Sequence, residues 1–195
     1  GAGPQPRGVG AFEARRLEEE LVIDGLQLLH ALCAHVEVAE QEAQSVTGIK
    51  SAVWPGRIQP LNDGLLAELW PHRPIWLDGA HNAHGASALA RTLSQIHDGK
   101  WNIICGALNT RDPAEFLAPL AILAGPVRCL AIADQPASLS ATEMTNAALA
   151  QGLDAAPATS ITTAFHQLDP TFPVIICGSL YLAGLVLLQN RTLPD

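Results

Sequence analysis

Apolar and polar positions follow two rhythms along this chain. Between Arg16 and His35 the residues Leu17, Leu21, Ile23, Leu26, Leu28, Leu29 and Leu32 recur at helical spacing. A second helix is expected over Val38–Thr47, ended by Gly48. The opening stretch up to about residue 10, rich in Gly and Pro, lacks any such pattern and reads as a disordered start. Pro55-Gly56 is a strong break, and beyond it short unbroken apolar runs take turns with stretches of helix length.

The apolar runs are Ile75-Trp76-Leu77, Trp101–Cys105, Arg128–Ala133 and Val174–Cys177. Helices are predicted over residues 83–97, 113–123, 141–151 and 180–189. Strands that are apolar throughout, separated by helices, belong to a parallel sheet covered on both faces. The fold class is therefore α/β: a doubly wound, mostly parallel sheet over residues 53–195, preceded by a short helical segment within 1–52. Local signals agree. Ser140 with Glu143 has the spacing of a capping box, and Asp112 before Pro113 places an acid at N-cap and proline at N1.

In such sheets ligands bind outside the C-terminal ends of the strands, which directs attention to the loops Asp78–Asn82, Gly106–Asp112, Asp134–Ser138 and Gly178-Ser179. The first is the densest polar cluster of the chain. Its Gly79 and Ala80 let backbone amides approach a ligand, and the helix after it presents a positive N-terminus to anions. Equally, Asp78 or Asn82 could simply cap that helix, with His81 in solvent. Gly106 and Gly178 each follow a cysteine at a strand end, where packing alone explains glycine as well as ligand approach does. Ser179 reads as an N-cap first and as a hydroxyl donor to a carboxylate second. Arg57, beside the Pro55-Gly56 break, could reach an anion with its planar charged fork or could be an ordinary surface arginine. Arg111 and Asp112 look like a local ion pair, worth at most about 1 kcal/mol if exposed.

Composition removes several classes of function. The formal net charge is −8, and no basic run is longer than Arg15-Arg16, so the electrostatic footprint of a nucleic-acid binder is missing. With 48% hydrophobic residues the chain can bury a core, yet its apolar runs fall far short of the ~20 residues of a membrane span. No signal-peptide pattern opens the chain, and a soluble, cytoplasmic protein is expected. Cys33, Cys105, Cys129 and Cys177 are far apart in sequence, without a C-x-x-C pair, and are expected to be buried free thiols. His30, His35, His72, His84, His97 and His166 form no metal-ligand spacing, so no metal is assigned to them. The only lysines, Lys50 and Lys100, follow no glycine-rich phosphate loop. The G-x-S-x-G elbow and the G-x-G-x-x-G fingerprint are absent too, against a hydrolase and a dinucleotide-binding reading.

Taken in order, Trp54-Pro55-Gly56-Arg57, Leu77–Asn82, the Gly106 loop ending in Arg111-Asp112, and Cys177–Gly184 resemble the folylpolyglutamate synthase/dihydrofolate synthase family of the Mur-ligase superfamily. The resemblance covers roughly residues 45–190 and implies a Rossmann-like C-terminal domain. It further implies an ATP-dependent amide ligase, with Mg2+, in which a dihydropteroate or folate carboxyl is phosphorylated and glutamate attacks the acyl phosphate. By the same resemblance Arg57 and Asp78 contact ATP, while His81, Asn82 and Ser179 line the glutamate pocket, with His81 as the catalytic candidate. ATP and Mg2+ would be held mainly by parts of such an enzyme outside this chain, so the chain alone is expected not to ligate. A truncated, non-catalytic relative that binds a small ligand or a protein is the competing expectation. The chain departs from the family pattern at Ala83, where proline is common, at Arg111, where lysine is frequent, and at Leu185, where glutamate is frequent.

Overall fold

The structure, a computed structural model, describes residues 56–71 and 73–192. The chain divides between residues 53 and 54, and the second unit is the one described. The helices expected over 16–35 and 38–47, the disordered start, Trp54-Pro55 and His72 lie outside the described residues.

In chain order the elements are β1 (Gln59–Pro60), α1 (Gly64–Leu69), β2 (Ile75–Leu77), α2 (Ala83–Ile96), β3 (Trp101–Cys105) and α3 (Pro113–Leu117), the last continued by a 3-10 turn over Ala118–Leu120. They continue with β4 (Ala124–Cys129), α4 (Ala141–Ala150), β5 (Ala155–Pro157), α5 (Ile161–Phe165), β6 (Val174–Cys177) and α6 (Leu180–Asn190). The strands form one 6-stranded sheet in the order β1-β2-β6-β3-β4-β5. Only the β1–β2 pairing is antiparallel.

Strand order and connection handedness decide which helix covers which face. The steps β2 to β3, β3 to β4 and β4 to β5 all advance in one direction, so right-handed crossovers place α2, α3 and α4 on one face. The step from β5 back to β6 reverses direction and sends α5, then α6, to the other. The two cores show this division. Leu89 and Leu93 of α2, Phe116 of α3 and Met144 of α4 pack with Ile103, Cys105, Ile175 and Cys177. Phe165 of α5 and Leu182 and Val186 of α6 pack with Leu77, Ile104, Val174 and Ile176. Alternation along β6 therefore feeds both cores, which is why its sequence is apolar at every position.

Strands β2, β3 and β6 occupy the residues that the hydrophobic runs predict. The fourth expected strand is displaced: β4 covers Ala124–Cys129 rather than 128–133. Its register pairs Ala124 with Trp101 and Cys129 with Cys105, and past that point Leu130 and Ile132 stay buried as loop residues. Apolar character thus outlasts the strand, while Ala124-Gly125-Pro126 belongs to it despite lacking strand-forming residues. The helix expected over 113–123 tightens into a 3-10 turn after Leu117. β1, α1, β5 and α5 are too short to show a period, and the prolines in β1 and β5 sit on the two edge strands, where a missing N–H costs no ladder bond. The capping box of Ser140 and Glu143 and the Asp112 cap before Pro113 are both formed. Among the described residues no helix is long and apolar enough to cross a membrane.

Candidate functional site

β6 lies between β2 and β3, yet its chain leaves toward one face while theirs leave toward the other. The C-terminal end of β6 is therefore the point where the winding reverses, which is where a doubly wound sheet takes its ligands. Three backbones meet there. The amide of Gly178 donates to the Ala80 carbonyl at 2.8 Å, and that of Gly106 to the Cys177 carbonyl at 3.4 Å.

The loop after β2 is organised by its own polar side chains. Asp78 accepts the Ala80 amide on Oδ1 at 2.7 Å and the Ile58 amide on Oδ2 at 2.9 Å. Burial pushes this carboxyl above the ordinary aspartate range, against the pull of those two amides and of the charges of Arg57 and His81. Gly79 donates to the Gly56 carbonyl at 2.6 Å, and a Cβ on Gly79 would collide with Leu180 at the start of α6. His81 places Nδ1 2.9 Å from the Gly79 carbonyl. A carbonyl only accepts, so Nδ1 carries a proton. Asn82 caps α2 by accepting the Gly85 amide at 2.7 Å.

The neighbouring strand contributes Ser179, which is 3% exposed and caps α6 by accepting the Tyr181 amide at 3.1 Å. Arg57 is exposed on the segment leading into β1, tied to the β2 loop through Ile58 and Gly56. The structure thus brings Arg57, Asp78, His81, Asn82 and Ser179 to one end of the sheet, around the tips of β2 and β6. The cap roles open to Asn82 and Ser179 are made, whereas Asp78 caps nothing and bonds across to another segment.

On the other side of β6 the loop after β3 is zipped to the loop after β4. Asn109 donates to Ala137 and Leu139 to Ala107, and Ser138 accepts the Ile132 amide on Oγ. Sequence reading singled out both the Gly106 loop and the Asp134–Ser138 loop but gave Ser138 no role of its own, since its only signal is a hydroxyl in a loop rich in turn formers. The expected Arg111–Asp112 ion pair is not formed among the described residues; Asp112 uses its carboxylate on the Ala114 amide instead. Below the loops, Cys177, Cys105 and Cys129 stand side by side as the last residues of β6, β3 and β4, all buried and free. Burial pushes the Cys177 thiol far up, and the hydrogen bond with Cys129 together with burial does the same for Cys105. Both are neutral thiols in the core beneath the loops. Cys33 lies outside the described residues. Among the described residues no group of three or more His, Cys, Asp or Glu side chains could hold a metal ion. This donor set does not fit a divalent cation.

An open, mostly parallel sheet with helices on both faces has the α/β architecture of Mur-ligase-like structures. The nearer kinship is narrower. Over 70% of its length the chain is 30% identical to folylpolyglutamate synthase of Lacticaseibacillus casei, covering 33% of that protein. The crystal structure of the bifunctional folylpolyglutamate synthase/dihydrofolate synthase of Yersinia pestis, complexed with AMPPNP and Mn ion, matches with TM-score 0.60 and 28% identity over 72% of this chain and 32% of that one. Folylpolyglutamate synthase of Mycobacterium tuberculosis complexed with ADP and AMPPCP shares the fold with TM-score 0.63, at 23% identity over 74% of this chain and 34% of that one. No family model matches the chain. The chain belongs to the folylpolyglutamate synthase/dihydrofolate synthase family, and it spans 33% of the length of the Lacticaseibacillus casei protein and 18% of that of a Haloferax volcanii homologue.

Proposed function

We propose that the described unit is the C-terminal half of the active site of an ATP-dependent amide ligase that joins glutamate to dihydropteroate or folate. In that reaction a carboxyl oxygen takes the terminal phosphoryl group of ATP, and the glutamate amine then displaces phosphate as the amide bond forms. Arg57 supplies a permanent positive charge for the polyphosphate, and Asp78 keeps a lone pair on each oxygen for a ribose hydroxyl or water beside it. Ser179, Asn82 and the N-termini of α2 and α6 form the amino-acid side, where helix ends favour a carboxylate. His81, with Nδ1 held on the Gly79 carbonyl beside the amino-acid side, is the catalytic residue of the half-site.

The observation that carries this reading is the meeting of the Asp78–Asn82 loop with Gly178-Ser179 through the Gly178–Ala80 hydrogen bond, at the point where the helices diverge. ATP and Mg2+ would be held mainly by parts of the intact enzyme outside this chain, so the chain alone does not ligate. A two-dimensional amide NMR titration tests the proposal, first with glutamate and then with AMPPNP plus magnesium. Saturable shifts at Arg57, Asp78, His81, Asn82 and Ser179 are expected. Shifts confined to other residues, or none with either ligand, would overturn a preformed half-site, and glutamate incorporation by the chain alone would overturn its inactivity.

A further inference from the structure

The turn that carries Arg57 is built around a side chain 20 residues further along the chain. Gly56 has φ 72° and Ile58 φ 41°, and for a β-branched residue such as Ile58 this left-handed conformation is strained. Strain of this kind persists only where surrounding bonds over-determine it. Here the Ile58 amide donates to Asp78 Oδ2 at 2.9 Å, the Gly79 amide to the Gly56 carbonyl at 2.6 Å, and the Gly56 amide to Gln59 Oε1 at 2.9 Å. The other oxygen of Asp78 holds the Ala80 amide at 2.7 Å. One carboxylate thus fastens the segment before β1 to the loop after β2. Arg57 is exposed, so its backbone decides where its guanidinium can reach.

We propose that Asp78 is a positioning residue: by bridging the Ile58 and Ala80 amides it fixes the strained turn from which Arg57 reaches an anionic ligand over the ends of β2 and β6. The identity of that ligand rests on the proposed function; the latch itself does not. Asparagine cannot replace the carboxylate, because one of its two polar atoms is an NH2 donor that would face an N–H. Losing the Ile58 bond releases the left-handed residue, and Arg57 moves with it.

The test is amide NMR and hydrogen exchange on the ligand-free chain, wild type against Asp78→Asn. In wild type the Ile58 and Ala80 amides are expected to follow one common titration, that of the carboxyl between them. The charged and titratable groups around it are Arg57 on the β1 segment, His81 on its own loop and Cys177 on β6, and the ring resonances of His81 are followed alongside as an independent probe. In Asp78→Asn the exchange of the Ile58 amide should rise about tenfold and the Arg57 resonances should move, while Ile176 in β6 stays in place. An Ile58 amide that ignores the carboxyl titration would overturn the proposal, as would an Asp78→Asn spectrum changed at residues 79–82 but not at Arg57 and Ile58. The wild-type titration decides alone if the variant does not fold. Because every readout is taken without ligand, a chain that binds no nucleotide would sink the proposed function and leave the latch standing.

Discussion

Gly178 and Gly106 lie so close at the ends of β6 and β3 that a Cβ built on Gly178 would sit 2.6 Å from the Gly106 carbonyl oxygen. That oxygen belongs to backbone and cannot step aside. Gly178 also has φ 109°, a conformation that side chains avoid. Gly178→Ala should therefore cost about 2–4 kcal/mol, combining backbone strain with overpacking. Urea denaturation measures it, and a loss below about 0.5 kcal/mol would mean that the two strand ends are not in contact.

The pH dependence of stability should carry the mark of Asp78. Its carboxyl is held up chiefly by burial, so the folded chain binds this proton more tightly than the unfolded chain does. The resulting stabilisation is complete below the unfolded pKa and is lost as pH rises through the raised folded value. Asp78→Asn does not titrate. The stability of wild type relative to the variant should fall as pH climbs from about 3.9 through that window and level off above it. Denaturation midpoints of both proteins across the acid range give the curve, and a difference that grows with pH would show the ionised form to be the favoured one.

Much of this was legible in the sequence, and the limits have physical causes. β2, β3 and β6 were readable because strands buried on both faces are apolar at every position, and α2 because Ala86, Leu89, Ala90 and Leu93 keep helical spacing. β4 was misplaced because burial of Leu130 and Ile132 continues beyond the ladder. The polar loop at Asp78–Asn82 stood out by composition alone. Its tie to Ile58 did not, since a hydrogen bond across 20 residues to a backbone amide leaves no trace in residue type.

Ser179 separates capping from binding. Its hydroxyl accepts the Tyr181 amide at 3.1 Å, so Ser179→Ala should cost about 1 kcal/mol of stability, as lost caps do. Ser179→Asn restores an N-cap acceptor and should recover most of that loss. If Ser179 also holds glutamate, the alanine variant should lose its glutamate-dependent NMR shifts at temperatures where it remains fully folded. Glutamate titrations of the two variants alongside wild type check this; unchanged shifts in Ser179→Ala would leave the residue as a cap only.

Arg128 and Asp154 are the ion pair made among the described residues, yet the two ends of it should behave very differently. The contact is long at 3.9 Å, and the Asp154 side chain is 73% exposed against 11% for Arg128. Screened pairs of this sort contribute little, so Asp154→Asn should change stability by less than about 0.5 kcal/mol. Arg128 also donates from Nε to the Gln167 carbonyl at 3.1 Å and from Nη1 to the carbonyls of Val127 at 2.9 Å and Asp154 at 3.2 Å. These bonds tie β4 to the start of β5 and to the segment after α5, and they do not need the Asp154 carboxylate. Arg128→Met keeps most of the apolar stem and removes the donors, at an expected cost of about 1.5–3 kcal/mol. Denaturation of both variants at low and high salt distinguishes the two contributions. The loss in Arg128→Met should persist in salt, and a loss in Asp154→Asn as large as that in Arg128→Met would place the stabilisation in the ion pair after all.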